Sequence, residues 1–356
     1  MISWLHRPGE LVAVALLGLA AALVIALLGL ILWRGLDELR FLQRQKNVAR
    51  YRPLVDALLT PKPVQETIQC LVDTPRRHRA IVADLILAAL RPTTGSVVER
   101  LREAARALGL VEGWIASLGD HRWWIRAGAA RALGLVREPT SLQGLLGALD
   151  DSHEEVRAAA VDGLGRLGEL TSAPALLTRL RDESRHQRAR VVEAIRALGP
   201  AVVPHLLAHA EAQPSDLAMV VDVLGTVGGA AAVDSLLEWS ADSQPAIRAA
   251  SLRALGSIGV DDRTFFHALR GLEDEDADVR SMAARALGRS SRQEAVPYLA
   301  GRLDDEWIVA AHAATGLRTL GRSGAAALET RAASDGRGGE LARQMLWELT
   351  FLKVGA

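Results

Sequence analysis

The sequence has little cysteine, little aromatic content and no excess of either charge. Cys70 is the single cysteine among 356 residues, so neither a disulfide within the chain nor a cysteine-based metal site can form. The 42 basic and 42 acidic residues give zero formal net charge, which disfavours nucleic-acid binding because nucleic-acid binders normally carry a basic excess. Aromatic residues are 4% of the chain, whereas apolar residues are 49% and largely Ala, Leu and Val. Such small aliphatic residues favour closely packed helices.

The sequence also lacks the short motifs that carry chemistry. It contains no zinc-binding histidine motif, no phosphate-binding glycine loop and no nucleophile elbow. His205 and His209 are four residues apart, but two ligands do not complete a metal site, and the nearby Glu211 and Asp216 fit no ligand pattern. We therefore predict no catalytic residue, no metal, no cofactor and no small-molecule ligand. Lysine occurs only at positions 46, 62 and 353, and this preference for arginine indicates a GC-rich, bacterial genome.

One long apolar run stands out near the amino terminus. Residues 11–33 contain no charge, and as a helix they would be about 34 Å long, enough to cross a bilayer core of about 30 Å. Trp4 and Trp33 lie near the two ends, where their rings favour the membrane interface. The alternative is a cleaved signal peptide, but its apolar core would be shorter and would end in a small-x-small site. We predict a single transmembrane helix over 11–33.

The charges that flank this run predict its orientation. Only Arg7 precedes it, whereas six basic residues follow it closely, namely Arg34, Arg40, Arg44, Lys46, Arg50 and Arg52. The positive-inside rule then places residues 1–10 outside as a short extracytoplasmic tail and the rest of the chain in the cytoplasm, below a bacterial inner membrane. We assign Trp4, Trp33, Arg34, Arg40 and Arg44 to the membrane interface.

The segment after the membrane run reads as helical. We predict a basic juxtamembrane helix over 34–50, either a plain continuation of the anchor or an amphipathic stretch that lies on anionic headgroups. Pro53 is expected to end that helix, because proline disfavours helical backbone at the residue before it. Residues 51–110 read as degenerate helical or capping repeats, with helices over 63–72, 76–90 and 95–108.

A phrase of fixed spacing then recurs four times. In every copy an Asp lies six residues before an Arg that follows Val or Ile, and Leu-Gly lies seven and eight residues after that Arg. The pairs are Asp120 and Arg126, Asp151 and Arg157, Asp242 and Arg248, and Asp274 and Arg280. The Leu-Gly pairs are 31 residues apart in the first two copies and 32 apart in the last two. A period of about 30 residues is typical of stacked two-helix units, which form a solenoid.

Each unit has a physical interpretation. An apolar first helix is followed by a short acidic turn and by a second helix that carries the Arg. A small residue three positions after the Arg lets neighbouring helices approach, and the closing Gly is expected to take the left-handed conformation that ends a helix. Because the Asp–Arg pair recurs at one phase, we predict a structural ladder. The carboxylate either caps the second helix or accepts from the Arg of its own or the adjoining unit.

On this phrase the chain resembles HEAT-repeat proteins, especially the short variety named after the phycobilisome lyases. The resemblance covers residues 111–322 and, weakly, 51–110. It implies an all-α fold, a right-handed α-solenoid of HEAT-like helical hairpins over 111–352, preceded here by the transmembrane helix. The second helices would line the concave side, usually as a protein-binding scaffold. A minority of the family are chromophore lyases or DNA-repair glycosylases.

The phrase departs from its pattern in the middle and at the end. After Arg188 the pair Leu198-Gly199 comes three residues late, and the unit that ends at Leu224-Gly225 has no Arg. This irregular segment, 182–225, is either a kink in the superhelix or a specialised binding segment. The seventh unit has Ala310 where the Arg would stand.

The tryptophans are candidate partner-binding residues. Trp123 and Trp124 follow Asp120, Trp114 precedes it, and Trp307 lies three residues after Asp304, the phase of Trp123. A Trp on an interhelix turn lies at the edge of a solenoid, where it either packs against the next turn or anchors a protein partner.

Three functions are compatible with the sequence. The favoured one is a non-catalytic, membrane-anchored cytoplasmic scaffold that binds a protein partner, a membrane enzyme complex or its regulator. The first alternative is an enzyme of the HEAT-like lyase or glycosylase kind, although zero net charge disfavours a glycosylase. The second is a transmembrane sensor, because Gly18, Ala22 and Ala26 give the small-x3-small spacing of paired membrane helices.

Overall fold

A computed structural model describes residues 8–60, 64–182 and 184–354. Within these ranges the chain is all α-helix with short 3-10 turns, and no strand occurs. Two compact units form, Met1–Ala116 and Ser117–Ala356. The division follows Ala116, whereas the sequence placed the start of the repeats at residue 111. Helix Leu110–Ser117 spans both positions.

The helices of the first unit are α1 (Pro8–Ala57), α2 (Val64–Val72), α3 (Arg79–Leu90), α4 (Ser96–Ala107) and α5 (Leu110–Ser117), the last of which ends just beyond it. The second unit begins with α6 (Trp123–Val136), α7 (Leu142–Ala148), α8 (Glu154–Leu167), α9 (Ala173–Asp182), α10 (Arg185–Ala197), α11 (Val203–Ala212) and α12 (Leu217–Val227). It continues with α13 (Val233–Trp239), α14 (Pro245–Ile258), α15 (Asp262–Gly271), α16 (Ala277–Gly288), α17 (Ala295–Ala300), α18 (Trp307–Thr319), α19 (Arg322–Ala332) and α20 (Arg337–Val354).

Helix α1 is a single helix of 50 residues that includes the apolar run. The expectation that Pro53 ends it was wrong, because the helix continues for another turn past Pro53. Tyr51 and Val55, on either side of the proline, are buried against the rest of the unit. Burial of these two side chains outweighs the backbone hydrogen bond that the proline cannot donate. The basic segment 34–50 is therefore a direct continuation of the apolar segment.

The end of α1 is fixed by contacts from the helices that follow it. The Nε atom of Arg100, on α4, donates to the carbonyl oxygen of Leu58 at 2.7 Å, and its terminal nitrogen donates to the carbonyl of Leu59 at 3.3 Å. Tyr51 shares a hydrogen bond of 2.9 Å with the Nδ1 atom of His78. The two bonds from Arg100 satisfy backbone carbonyl groups in the turn that follows the helix.

The second unit is built from helical hairpins in which each first helix packs against the second helix that follows it. The first helices are α7, α9, α11, α13, α15 and α17, and the second helices are α6, α8, α10, α12, α14, α16 and α18. Successive second helices also pack against each other, and α19 and α20 pack on α18 and on each other. This arrangement is an α-solenoid. Its core is a row of repeated aliphatic side chains, such as the fully buried Leu133, Leu164 and Leu255.

The glycines of the Leu-Gly pairs are not helix caps, which corrects the sequence prediction. Gly134, Gly165 and Gly256 lie inside second helices with negative φ values. A Cβ atom added to Gly256 would lie 2.9 Å from the Cα of Ala286 on the next second helix, and one on Gly165 would lie 2.7 Å from the Cα of Ala194. The glycine is therefore required where the backbones of neighbouring repeats cross most closely.

This packing also explains the irregular middle repeats. Arg188 is the fourth residue of α10, the same place that Arg248 takes in α14, so the phase of this repeat is intact. Gly199 is a different kind of glycine, since its φ of 75° ends α10. In the next repeat Gly225 packs against Ala254, so Gly225 is the glycine at the helix crossing. Because that glycine lies eight residues after the repeated arginine, Leu217 occupies the arginine position of this repeat. There the second helix starts at that residue, after a 3-10 turn over Pro214–Asp216.

Candidate protein-interaction surface

The repeated arginines join each repeat to the next. The Nε and a terminal nitrogen of Arg248 donate to the two carboxylate oxygens of Asp274 at 2.8 and 2.7 Å. The other terminal nitrogen donates to the backbone carbonyls of Asp242 and Ser243, in its own repeat, at 3.0 and 3.1 Å. Each such arginine therefore ties the acidic turn before its own helix to the acidic turn of the following repeat.

Two further arginines repeat this geometry. Arg126 donates to both carboxylate oxygens of Asp151 at 2.6 and 2.7 Å. Arg280 donates to those of Asp305 at 3.0 and 2.8 Å, so Asp305, one residue past the expected Asp304, is the acceptor. Arg157 donates to the carbonyls of its own turn at 3.0 and 3.4 Å. The carboxylate expected to accept from it in the following repeat is at position 182, whose side chain lies outside the described residues. Three rungs of a ladder thus run along the turns, from Arg126, Arg248 and Arg280 to the carboxylates of the following repeats. Asp120 and Asp242 take part through their backbone carbonyls.

The ladder shifts the ionisation of its carboxylates. The hydrogen bonds from Arg126, Arg248 and Arg280 are the largest cause that holds the pKa values of Asp151, Asp274 and Asp305 below their usual value of 3.8. Burial opposes this shift but is the weaker effect in each case. The carboxylates are therefore ionised throughout the physiological pH range.

The ladder predicts that the solenoid loses stability in acid. A carboxylate whose pKa is lowered in the folded state contributes fully above its unfolded pKa, and that contribution is lost as the pH falls through the folded pKa. We expect the denaturant midpoint to be flat above about pH 5 and to fall below about pH 4. The Asp274→Asn variant should be less stable at pH 7 and should lose less on acidification. Equal acid losses in both proteins would contradict this role of Asp274.

The four candidate tryptophans lie in different surroundings. Trp123 is stacked on His153, with ring centroids 4.0 Å apart, and Trp124 meets it edge-on at 6.0 Å. Trp114 is half-buried on α5 in the first unit. Trp124 is 56% exposed and Trp307 is 66% exposed. The structure therefore brings Trp123 and Trp124 together, holds Trp123 in place through the ring of the next repeat, and leaves Trp124 and Trp307 open to solvent.

A groove crosses three successive second helices, of which the first, α12, belongs to the irregular segment. It has a volume of about 700 Å³ between α12, α14 and α16, with Ala246, Ala249 and Ala250 among its lining residues. Asp222 and Arg253 form an ion pair at its edge, and the carboxylate of Asp278 also faces it. The sequence did not identify this groove, because its alanines resemble those that pack between helices. A small apolar floor with a charged edge suits a protein segment.

One polar pair replaces an apolar contact of the regular repeats. In an early repeat Leu118 occupies the space that a Cβ atom on Gly144 would need, 2.7 Å away. Leu118 lies two residues before the repeated Asp of its repeat, and Gly144 lies seven residues before that of the next repeat. In a later pair of repeats these two positions are Ser240 and His267, whose Oγ and Nδ1 atoms are 2.8 Å apart. Burial lowers the pKa of His267, so its ring is neutral at physiological pH.

The paired histidines do not converge on a metal site. The Nε2 atom of His209 lies 3.1 Å from a carboxylate oxygen of Asp216, a buried residue at the start of α12. The Nδ1 atom of His205 is buried and makes no hydrogen bond within the described structure. Among the described residues, no three His, Cys, Asp or Glu side chains come together as metal ligands.

The proposed membrane-interface residues lie on α1, apart from Trp4, which falls outside the described residues. Trp33, Arg34, Arg40 and Arg44 are all exposed on that helix, and Arg44 pairs with Asp84 at 2.8 Å. Within the described residues α1 is long and apolar enough to cross a membrane, and none of its most apolar window is buried in the protein. Cys70 is exposed on α2.

Comparison with known proteins identifies the repeats. A family model described as HEAT repeats matches residues 111–196, 143–218 and 265–347. No curated protein matches the sequence significantly.

Several solved structures are similar in fold. The CpcE–CpcF complex of phycocyanin lyase from Nostoc sp. PCC7120 is 19% identical over 67% of this chain and 94% of that one, with a TM-score of 0.32. Human deoxyhypusine hydroxylase is 20% identical over 76% and 99%, with a TM-score of 0.28. Kap95p in its structure with RanGDP is 12% identical over 83% and 50%, with a TM-score of 0.47. At these identities and scores none of the three indicates an activity for this chain.

Proposed function

Because the chain is a member of the HEAT-repeat family, we propose that it is a non-catalytic scaffold that binds a protein partner through the surface of its repeats. We propose further that α1 anchors it in the bacterial inner membrane, with the solenoid in the cytoplasm. The partner would then be a membrane enzyme complex or its regulator. The family alone supports protein binding, and the apolar, unburied segment of α1 supports the anchor.

The observation that carries this proposal is the placement of the tryptophans. The chain has few aromatic residues, and none of its described tryptophans is among the buried core residues. Instead, Trp124 and Trp307 are mostly exposed, and Ile308 lies beside Trp307 on the surface. Tryptophan is among the residues most enriched at the hot spots of protein interfaces. A scaffold needs such anchors, whereas an enzyme would need convergent polar groups.

Substitution of the exposed tryptophans tests the proposal. We expect Trp124→Ala and Trp307→Ala each to reduce the amount of partner recovered with the full chain from native membranes at least tenfold, because an anchor residue contributes about 2 kcal/mol or more. The measurement is a pull-down in mild detergent, quantified by mass spectrometry.

The matched control is Phe266→Ala. Phe266 is as exposed as Trp307 but lies on a first helix, α15, so its loss should leave the partner in place. Trp123 is unsuitable as a test residue, because its stacking on His153 means that its removal also disturbs the fold. Unchanged recovery from correctly folded Trp124→Ala and Trp307→Ala proteins would show that these residues are not the anchors. Loss of the protein from carbonate-washed membranes would refute the anchor itself.

A further inference from the structure

One face of α1, in the first unit, forms a groove. The α1 groove is lined by Phe41, Arg44, Gln45, Val48, Ala49 and Arg52. Each of these positions lies three or four residues from another, so together they form one stripe along the helix. Phe41 is 58% exposed, and Val48 is only half-buried. The stripe is therefore an apolar and basic helix face that the first unit covers only in part.

The distance of this groove from the membrane follows from the continuity of α1. Taking Trp33 as the end of the apolar segment, Phe41 lies eight residues and Arg52 nineteen residues further along the same helix. These separations correspond to about 12 and 28 Å. The headgroup layer on each side of a bilayer is only about 5–8 Å thick. A tilt of about 20° changes these heights by less than a tenth, so the groove lies beyond the reach of the headgroups.

The charge of the segment determines which protein surface would complement it. Residues 34–52 carry six basic side chains and two acidic ones, Asp37 and Glu38. Of the two arginines in the groove, Arg44 is paired with Asp84, across a contact in which both side chains are more than half exposed. Arg52 extends the basic stripe at its far end. A partner segment with carboxylates opposite Arg52 and apolar residues opposite Phe41 and Val48 complements this face.

We infer that the α1 groove binds an acidic, amphipathic helix of a membrane-embedded protein, at the point where that helix leaves the membrane on the cytoplasmic side. This inference rests on the proposed membrane anchor, and it adds which segment of the partner contacts α1. A helix that leaves the membrane beside α1 would run along the groove, because α1 is one continuous helix from its apolar segment to the groove. Acidic residues are uncommon in the cytoplasmic segment that follows a membrane span, because the positive-inside rule favours Lys and Arg there.

Two glutamines offer a matched test. Gln45 lies in the groove, and Gln43 is exposed on the opposite side of the same helix, because two residues correspond to a rotation of about 200°. A photoreactive phenylalanine analogue is placed at either position in the full chain in native membranes, and the adducts are sequenced by mass spectrometry. We expect position 45 alone to give an adduct with a net acidic peptide within about 20 residues of an apolar span, the reach of a 30 Å helix.

Charge reversal provides the second arm. Arg52→Glu should reduce the yield of this adduct at least tenfold, whereas Arg50→Glu, on the far side of the helix, should leave it nearly unchanged. Adducts with lipid, with a second copy of this chain, with a basic or membrane-distant peptide, or in equal yield from both glutamines would overturn the inference. So would the absence of any adduct.

The two proposals fail in distinguishable ways. If carbonate washing removes the chain from the membrane, the proposed anchor fails and the groove has no membrane partner to bind. If the chain stays in the membrane and still recovers a partner through Trp124 and Trp307, but position 45 gives no acidic adduct, only the inference about the α1 groove fails.

Discussion

Replacing Arg248 with alanine is expected to lower the local free energy of unfolding around α14 and α16 by about 3 kcal/mol. The side chains of Arg248 and Asp274 are only 12% and 15% exposed, so removal of one leaves the other charged and largely shielded from water. The substitution also removes the donor to the carbonyls of Asp242 and Ser243. Hydrogen exchange of the full chain in detergent, resolved to these helices, measures the loss.

Arg253→Ala is the matched control for this prediction. Arg253 lies on the same helix and pairs with Asp222, but both side chains are about half exposed, so the loss should stay below about 1 kcal/mol. A double-mutant cycle of Arg248→Ala and Asp274→Ala should give a coupling energy of about 1 kcal/mol or more. Additive effects, or equal losses from Arg248→Ala and Arg253→Ala, would contradict a ladder that stabilises the stack.

Gly256→Ala is expected to destabilise the same region by about 1–3 kcal/mol, although it adds a single methyl group. That methyl group would lie 2.9 Å from the Cα of Ala286 and 3.0 Å from its Cβ. Because one of these atoms belongs to the backbone of α16, no side-chain rotation relieves the contact, and the two helices must separate. Thermal unfolding followed by circular dichroism measures the effect, which should be a lower transition temperature.

Gly128→Ala gives the opposite expectation. Gly128 lies inside α6, is exposed, and has no atom within 4 Å of an added Cβ. Alanine there should stabilise the helix by up to about 1 kcal/mol, because it lowers the backbone entropy of the unfolded chain. If both alanine substitutions shift stability in the same direction, close backbone approach is not the reason that the repeats keep glycine.

The ladder and the glycines show what the sequence can and cannot predict. The fixed phase of Asp and Arg in four copies predicts a task common to every repeat, and it correctly predicted the HEAT-type solenoid. The same regularity led to the wrong role for Gly256, since a glycine that ends a helix and a glycine between crossing helices look alike in sequence. Only the distance to the neighbouring backbone separates the two cases.

The candidate surface was less predictable. The spacing of Trp123 and Trp307 predicted that both lie on interhelix turns, and each is the first residue of a second helix. Their exposure depends on the neighbouring repeat, which supplies His153 as a stacking partner for Trp123. Pro53 shows the same limit, because its local preference was overridden by the burial of Tyr51 and Val55. Packing between elements distant in sequence decided each of these outcomes.

The ends of the ladder bear on self-assembly. Repeats that join head to tail through identical contacts would in principle add further copies without limit, as open filaments do. Here the last second helix has Ala310 in place of the donor. At the other end Asp120 already accepts from the backbone and guanidinium of Arg122, in its own turn, at 2.8 to 3.1 Å. Within the described residues neither end of the ladder therefore offers a rung to another molecule, and we expect no head-to-tail stacking of copies through these contacts.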